Sequence, residues 1–185
     1  MSTLSTPAVA VSTWKIDPVH SHAEFKVKHM MISNVKGQFK NLTGTLLLDE
    51  ADRTRSKIEA SVETSSIDTR DPQRDGHLKS ADFLDAEKYP TLSFKSTRVT
   101  VQSGNELSVT GDLTIHGVTR PVTFEVEDLT APTKDPWGNT RLGLSATTKI
   151  NRKDFGLTWN ATLETGGFLV GEEVTITLDV EFVKA

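Results

Sequence analysis

An all-β fold is what this sequence predicts, an antiparallel barrel of eight strands with one or two short helices, and three observations predict it. Apolar and polar residues alternate with period two in segment after segment. The alternating runs are long and rich in β-branched and aromatic residues. Compact turn signals separate them, and only two stretches break the pattern. Period two puts every second side chain on one face, so each run reads as a half-buried strand.

Taken in order, the first run sets Ala23, Phe25 and Val27 against Glu24, Lys26 and Lys28. Residues 35–48 are also extended, with Gly37 and Gly44 as sites for a bulge or bend. Ile58, Ala60 and Val62 oppose Glu59, Ser61 and Glu63, and Leu92 and Phe94 alternate with Ser93 and Lys95. Leu107, Val109, Leu113 and Ile115 share one face; Val122, Phe124 and Val126 share another. Leu142, Leu144 and Ala146 follow, and the last run is Val174, Ile176, Leu178, Val180 and Phe182. Turn residues stand at 49–53, 103–105, 116–117 and 135–139. Short turns between long strands make sequential neighbours antiparallel, as in a meander. Such strands close as a sandwich or a barrel, and their length and sequential turns favour the barrel. An eight-stranded barrel is filled by its own side chains or holds one small ligand.

The first interruption, 71–89, is charged and lacks period two; His77, Leu78, Ala81, Phe83 and Leu84 form an apolar face for short helix. The second, 151–171, carries Phe155, Trp159 and the pair Gly166-Gly167. Helix is expected only within 71–89 and 151–156. Residues 1–12 read as a flexible leader and 13–185 as one domain.

Composition narrows the function. With 25 acidic and 21 basic residues the net charge is -4, so no basic excess exists to meet nucleic-acid phosphates. The absence of cysteine excludes disulfides, thiolate catalysis and cysteine-ligated metals. No apolar run is long enough for a transmembrane helix. No basic residue precedes the short apolar stretch 8–11, so a cytoplasmic protein is expected, or a periplasmic one if the N-terminus is truncated. His20-Ser21-His22 has H-x-H spacing, but His29, His77 and His116 are scattered, and no metal site is expected. There is no nucleophile elbow and no phosphate loop, so no catalytic residues are assigned and no enzyme is expected. Arg70, Arg74 and Lys79 alternate with Asp71, Asp75 and Asp82, either as a solvated surface or as an anion-recognising rim.

Three stretches together carry a resemblance. They are Trp14-Lys15-Ile16-Asp17-Pro18-Val19-His20-Ser21 running on to Met30, then Asp75-Gly76-His77-Leu78-Lys79-Ser80-Ala81-Asp82-Phe83-Leu84-Asp85 with Tyr89-Pro90, and Gly111 to Val122 around Ile115-His116-Gly117. With Asn151-Arg152-Lys153-Asp154-Phe155-Gly156 and the final strand, the chain from about residue 13 onward resembles the YceI-like family of lipocalin-like, polyisoprenoid-binding proteins. The resemblance implies a barrel with a long apolar cavity for a polyisoprenoid lipid or a quinone with such a tail. It implies binding, transport or storage, with the lipid as ligand and no other cofactor. Strand alternation then assigns the ligand-facing positions: Phe25, Val27, His29, Phe39, Ile58, Val62, Phe94, Ile115, Phe124 and Ile176, joined by His77, Phe83 and Trp159 from the irregular stretches. Arg74 and Lys79 are assigned to a head group, with 71–89 capping or framing the entrance or simply plugging the barrel end. Two other readings stand beside this one. One is a metal- or haem-binding barrel or stress-related enzyme using His20, His22, His29, His77 or His116; the other is a filled barrel acting through its surface. A homodimer is left open.

Overall fold

The computed structural model describes residues 11–185. Twelve strand segments make one antiparallel sheet that closes on itself. They are β1 (Val11–Ile16), β2 (His22–His29), β3 (Ser33–Phe39), β4 (Thr43–Asp49), β5 (Lys57–Glu63), β6 (Ile67–Asp68), β7 (Thr91–Ser103), β8 (Glu106–Ile115), β9 (Val118–Glu127), β10 (Thr133–Lys134), β11 (Thr140–Asn151) and β12 (Val170–Lys184). β1 and β2 lie end to end along one edge of β12: Ile16 pairs with Phe182, and His22 pairs with Asp179. β4 and β3 run back along them, Trp14 facing Leu46 and Phe25 facing Gly37. Each of these two pairs is therefore one long, interrupted stave. With β5, β7, β8, β9, β11 and β12 they make the eight-stranded barrel, and pairing of β11 with β12 closes it. Closure gives most of the wall's backbone groups a partner in a neighbouring stave, while β3 meets β6 over only two residue pairs on its other edge.

The seams differ. β11 matches β12 over eleven residue pairs, from Arg141↔Val183 to Asn151↔Glu173. It matches β9 over only three, Ser145↔Glu127, Ala146↔Val126 and Thr147↔Glu125. Two side-chain stitches supplement this narrow seam: the Thr148 hydroxyl donates to the Thr123 carbonyl at 2.7 Å, and the Ser145 hydroxyl donates to the Glu127 carbonyl at 3.4 Å.

Several sequence expectations are corrected. Val11 and Ser12 are strand, paired with Asp49 and Leu48, so the expected leader loses two residues; the rest of it, 1–10, lies outside the described residues. The extended segment 35–48 breaks at 40–42, where Asn41 takes φ +60°, and not at its glycines. Gly37 sits within a regular ladder and Gly111 beside a register shift between β7 and β8, and at each a Cβ would collide with a ring, Phe25 and Phe94 respectively. The glycines let those two rings lie against the barrel wall.

The helix α1 (Pro72–Lys79) falls inside 71–89. Asp71 caps it, accepting from the amides of Gln73 at 3.0 Å and Arg74 at 3.2 Å, and Pro72 opens it. A 3-10 turn, Arg152–Phe155, falls inside 151–156, but two more, Arg53–Arg55 and Thr64–Ser66, lie outside the expected helical regions. Both occupy short connections that polar side chains close: Asp52 caps the first, and the buried Thr64 hydroxyl donates to the Tyr89 carbonyl at 2.7 Å. Among the described residues no helix is long and apolar enough to cross a membrane.

Two apolar clusters fill the interior. One, with Trp14, Leu46, Phe124 and Phe182, occupies most of the barrel. The other, with Ile67, Leu84, Leu113, Ile115, Phe155 and Leu157, closes the end where α1 and 151–157 lie. Arg152 holds this closure. It is buried, and it donates to the carbonyls of Leu157 (2.6 Å), Gly171 (2.8 Å), Trp159 (2.9 Å) and Val170 (3.3 Å). Burial pulls its guanidinium below the ordinary arginine range.

Candidate ligand cavity

The inward face of the staves leaves two adjoining hollows inside the barrel, one of about 110 Å³ and one of about 100 Å³. Five residues line both: Leu42, Ala60, Phe94, Phe124 and Leu178. Among them Phe94 and Phe124 meet edge to face with ring centroids 5.1 Å apart, forming an aromatic partition at mid-barrel. The partition is possible because Gly111 carries no side chain beneath the Phe94 ring.

The larger hollow is lined by Ile16, Leu46, Ile58, Val109, Leu144 and Phe182, among others. Its only charged or hydroxyl side chains are Arg53, Ser56 and Lys57, on the 3-10 turn and at the start of β5. The Arg53 guanidinium donates to the Asn105 side chain at 3.2 Å, tying that turn to the β7–β8 hairpin. The smaller hollow is lined by Phe25, Phe39, Val62, Leu113, Ile115 and Ile176, with Phe25 and Phe39 5.8 Å apart. The second core cluster, packed on Leu113 and Ile115, stoppers this end.

Of the positions assigned from sequence, Phe25, Phe39, Ile58, Val62, Phe94, Ile115, Phe124 and Ile176 line these hollows. Val27 and His29 do not: they are half-buried further along β2, beyond the lining. His77, Phe83 and Trp159 are brought together, but with one another. His77 lies 4.7 Å from Trp159 and 5.0 Å from Phe83, with Phe83 5.2 Å from Trp159, as a separate aromatic cluster. The cations assigned to a head group do not line the cavity either. Arg74 is spent on Thr69, donating to its hydroxyl at 2.8 Å and its carbonyl at 2.9 Å, which fastens α1 to β6. Lys79 borders polar hollows on the outer surface. The segment 71–89 thus packs at the stoppered end, with Leu84 in its core.

Alternation pointed equally to Val109, Leu144 and Val180, which line the cavity and were not singled out, whereas Leu46, also in the lining, stands in a run of three leucines that shows no alternation. Ile16 was missed with β1 itself, whose inward Trp14 and Ile16 alternate over too short a run to stand out. Arg53 and Lys57 carry no sequence signal, because a turn cation looks like any exposed one.

The histidines do not converge. His116 approaches the Phe155 carbonyl at 3.3 Å, His22 is exposed, and His77 contacts Asp82 at 2.9 Å. His20 lies 3.0 Å from Asp17, and among the described residues Asp17, His20 and Glu181 are the one group of three with metal-compatible spacing. Arg141 already occupies that group. Its Nη1 donates to Asp17 at 2.7 Å and to Glu181 at 2.6 Å, and its Nε donates to Asp135 at 2.7 Å. Hydrogen bonds from His20 and Arg141 hold the Asp17 carboxyl well below the usual carboxylate range, and Arg141 does the same to Asp135. This hub braces the break between β1 and β2 against β11 and β12.

Comparisons with known proteins agree with this architecture. Protein YceI of Escherichia coli O157:H7 is 40% identical over 182 residues, covering 97% of this chain and 91% of that one. The crystal structure of a YCEI protein from Campylobacter jejuni superposes with TM-score 0.72 at 30% identity, covering 86% of this chain and 91% of that chain. A polyisoprenoid binding domain from Saccharophagus degradans shares the fold, with TM-score 0.67 at 14% identity over 93% of this chain and 98% of that chain. Residues 14–182 match the YceI-like domain, and the chain belongs to that family.

Proposed function

We propose that this protein binds and carries an isoprenoid lipid, a polyprenyl chain or an isoprenoid quinone, and catalyses no reaction on it. The observation that carries the reading is the continuous apolar lining of a closed barrel, drawn from staves all round the ring. A polyprenyl tail has nothing to offer but apolar surface, and each buried methylene contributes about 0.8 kcal/mol. Most of the wall's backbone groups are paired with one another, and the lining of the hollows is side chain. Such a lining grips strongly and reads little beyond length and width. The Saccharophagus degradans domain of the same fold, described as polyisoprenoid binding, supports the ligand class.

The partition sets how a tail lies. A chain longer than one hollow passes between Phe94 and Phe124, which turn on their side-chain torsions to admit it. The head group then stands at the end bearing Arg53, Ser56 and Lys57, since the opposite end is stoppered. Long cationic side chains lay their stems on apolar surface and keep the charge in water, which suits a rim.

The test is organic extraction of the purified protein followed by mass spectrometry, and reloading of stripped protein with a long-chain polyprenol. A prenyl lipid recovered near one per chain, with saturable reloading, is expected. Extracts without isoprenoid, together with no reloading, would overturn the proposal.

A further inference from the structure

The hairpin that joins β2 to β3 is built against local preference. The link between His29 and its partner Ser33 is residues 30–32, and within it the His29 carbonyl accepts from the Ile32 amide at 3.0 Å, closing a β-turn over Met30 and Met31. Both central residues take positive φ, +52° and +60°. That is the geometry for which Asn-Gly is favoured, and long apolar side chains rarely adopt it. The strain gains nothing inside the protein: Met31 is 66% exposed and Ile32 79%. Phe168, 53% exposed, belongs to the neighbouring loop, which is joined to the tip by the bond from the Met30 amide to the Leu169 carbonyl at 2.8 Å. Four apolar side chains therefore project from one corner of the barrel. Where sequence breaks a local rule without an internal benefit, an external one is the physical expectation.

The charge behind the tip identifies the partner. Lys26 and Lys36 stand directly opposite each other across β2 and β3, and Lys28 is the next outward residue. Like charges facing across a strand pair repel, and these three exposed lysines cluster on a chain whose net charge is -4. The lysines that do pair with carboxylates in the described residues are Lys40, Lys95, Lys149, Lys153 and Lys184. Apolar side chains at a tip with basic residues behind them match the layering of an anionic bilayer, acyl chains below and phosphates above. We propose that the β2–β3 tip, with Phe168, docks this protein onto anionic phospholipid membranes. The inference stands on the surface alone and does not depend on what the cavity holds.

The experiment is cosedimentation of the full chain with phosphatidylglycerol–phosphatidylcholine vesicles and with pure phosphatidylcholine vesicles. Binding to the anionic vesicles that weakens with salt is expected. The variant Met30→Asn with Met31→Gly gives the turn its preferred residues, so its Tm should rise by about 3 °C while vesicle binding is lost. Lys26→Gln with Lys36→Gln should weaken binding to anionic vesicles by roughly 30-fold, the usual worth of two lysines at such a surface. Equal binding to both vesicle types, or binding unaltered in the Met30→Asn, Met31→Gly protein, would overturn the proposal. So would failure to bind vesicles together with a concentration-dependent dimer that the same variant dissociates, because the tip would then meet a second copy.

Discussion

Arg141 and Arg152 show two uses of one side chain. Arg141 gathers Asp17, Asp135 and Glu181 at the surface of the wall, whereas Arg152 is buried among carbonyls and holds a loop. Only the first contributes strongly to pH dependence. Asp17 and Asp135 have carboxyls lowered from the ordinary range near 3.8. The unfolded chain therefore binds protons that the folded chain refuses, and stability rises with pH through that window and is lost as pH falls through it. Arg141→Gln should flatten this acid limb, because the aspartates regain nearer-ordinary affinities. Urea midpoints measured between pH 5 and pH 2.5, about the window of unperturbed carboxylates, check this. An acid limb of unchanged slope in the variant would show that the hub is not its source.

At the scale of the element, the 71–89 segment separates what sequence pattern discloses from what it conceals. Its break in alternation and its short helix were legible, and α1 forms there. Its role was not, because polar residues in a rim and in a structural joint look alike in sequence. Arg74 was read toward a ligand, yet it bonds Thr69. Phe83 is buried against His77 and Trp159 rather than over a mouth. Phe83→Ala should lower stability by about 3 kcal/mol, the usual cost of removing a buried phenyl ring. Arg74→Ala should cost about 1 kcal/mol through its hydrogen bonds and leave retention of an anionic lipid unchanged. Thermal unfolding and extraction of the two variants side by side check both statements; selective loss of the anionic lipid from a stable Arg74→Ala protein would restore the head-group role.

For the whole molecule, the eight staves were legible because each inward face repeats one signal, and a single-residue slip would turn that face to solvent. Phe25, Phe94, Phe124 and Ile176 followed from it directly. What period two does not encode is how far along the axis a residue lies. That is why Val27, on the correct face, misses the cavity, and why one end is stoppered while the other carries Arg53. Depth depends on stagger between strands, which arises from pairings distant in sequence. The uneven wall has a further consequence. A cylinder whose grip is eleven pairs on one side of β11 and three on the other behaves as a cuff with a clasp: thermal motion parts it first at β9 against β11. Amides facing each other there should exchange hydrogen faster than those between β11 and β12. Thr148→Val, which removes the stitch to Thr123, should widen that difference and speed the loading of a tail through the side of the barrel, at a cost of about 1 kcal/mol. Exchange rates and loading rates unchanged by Thr148→Val would mean that the clasp stays shut and that entry is axial.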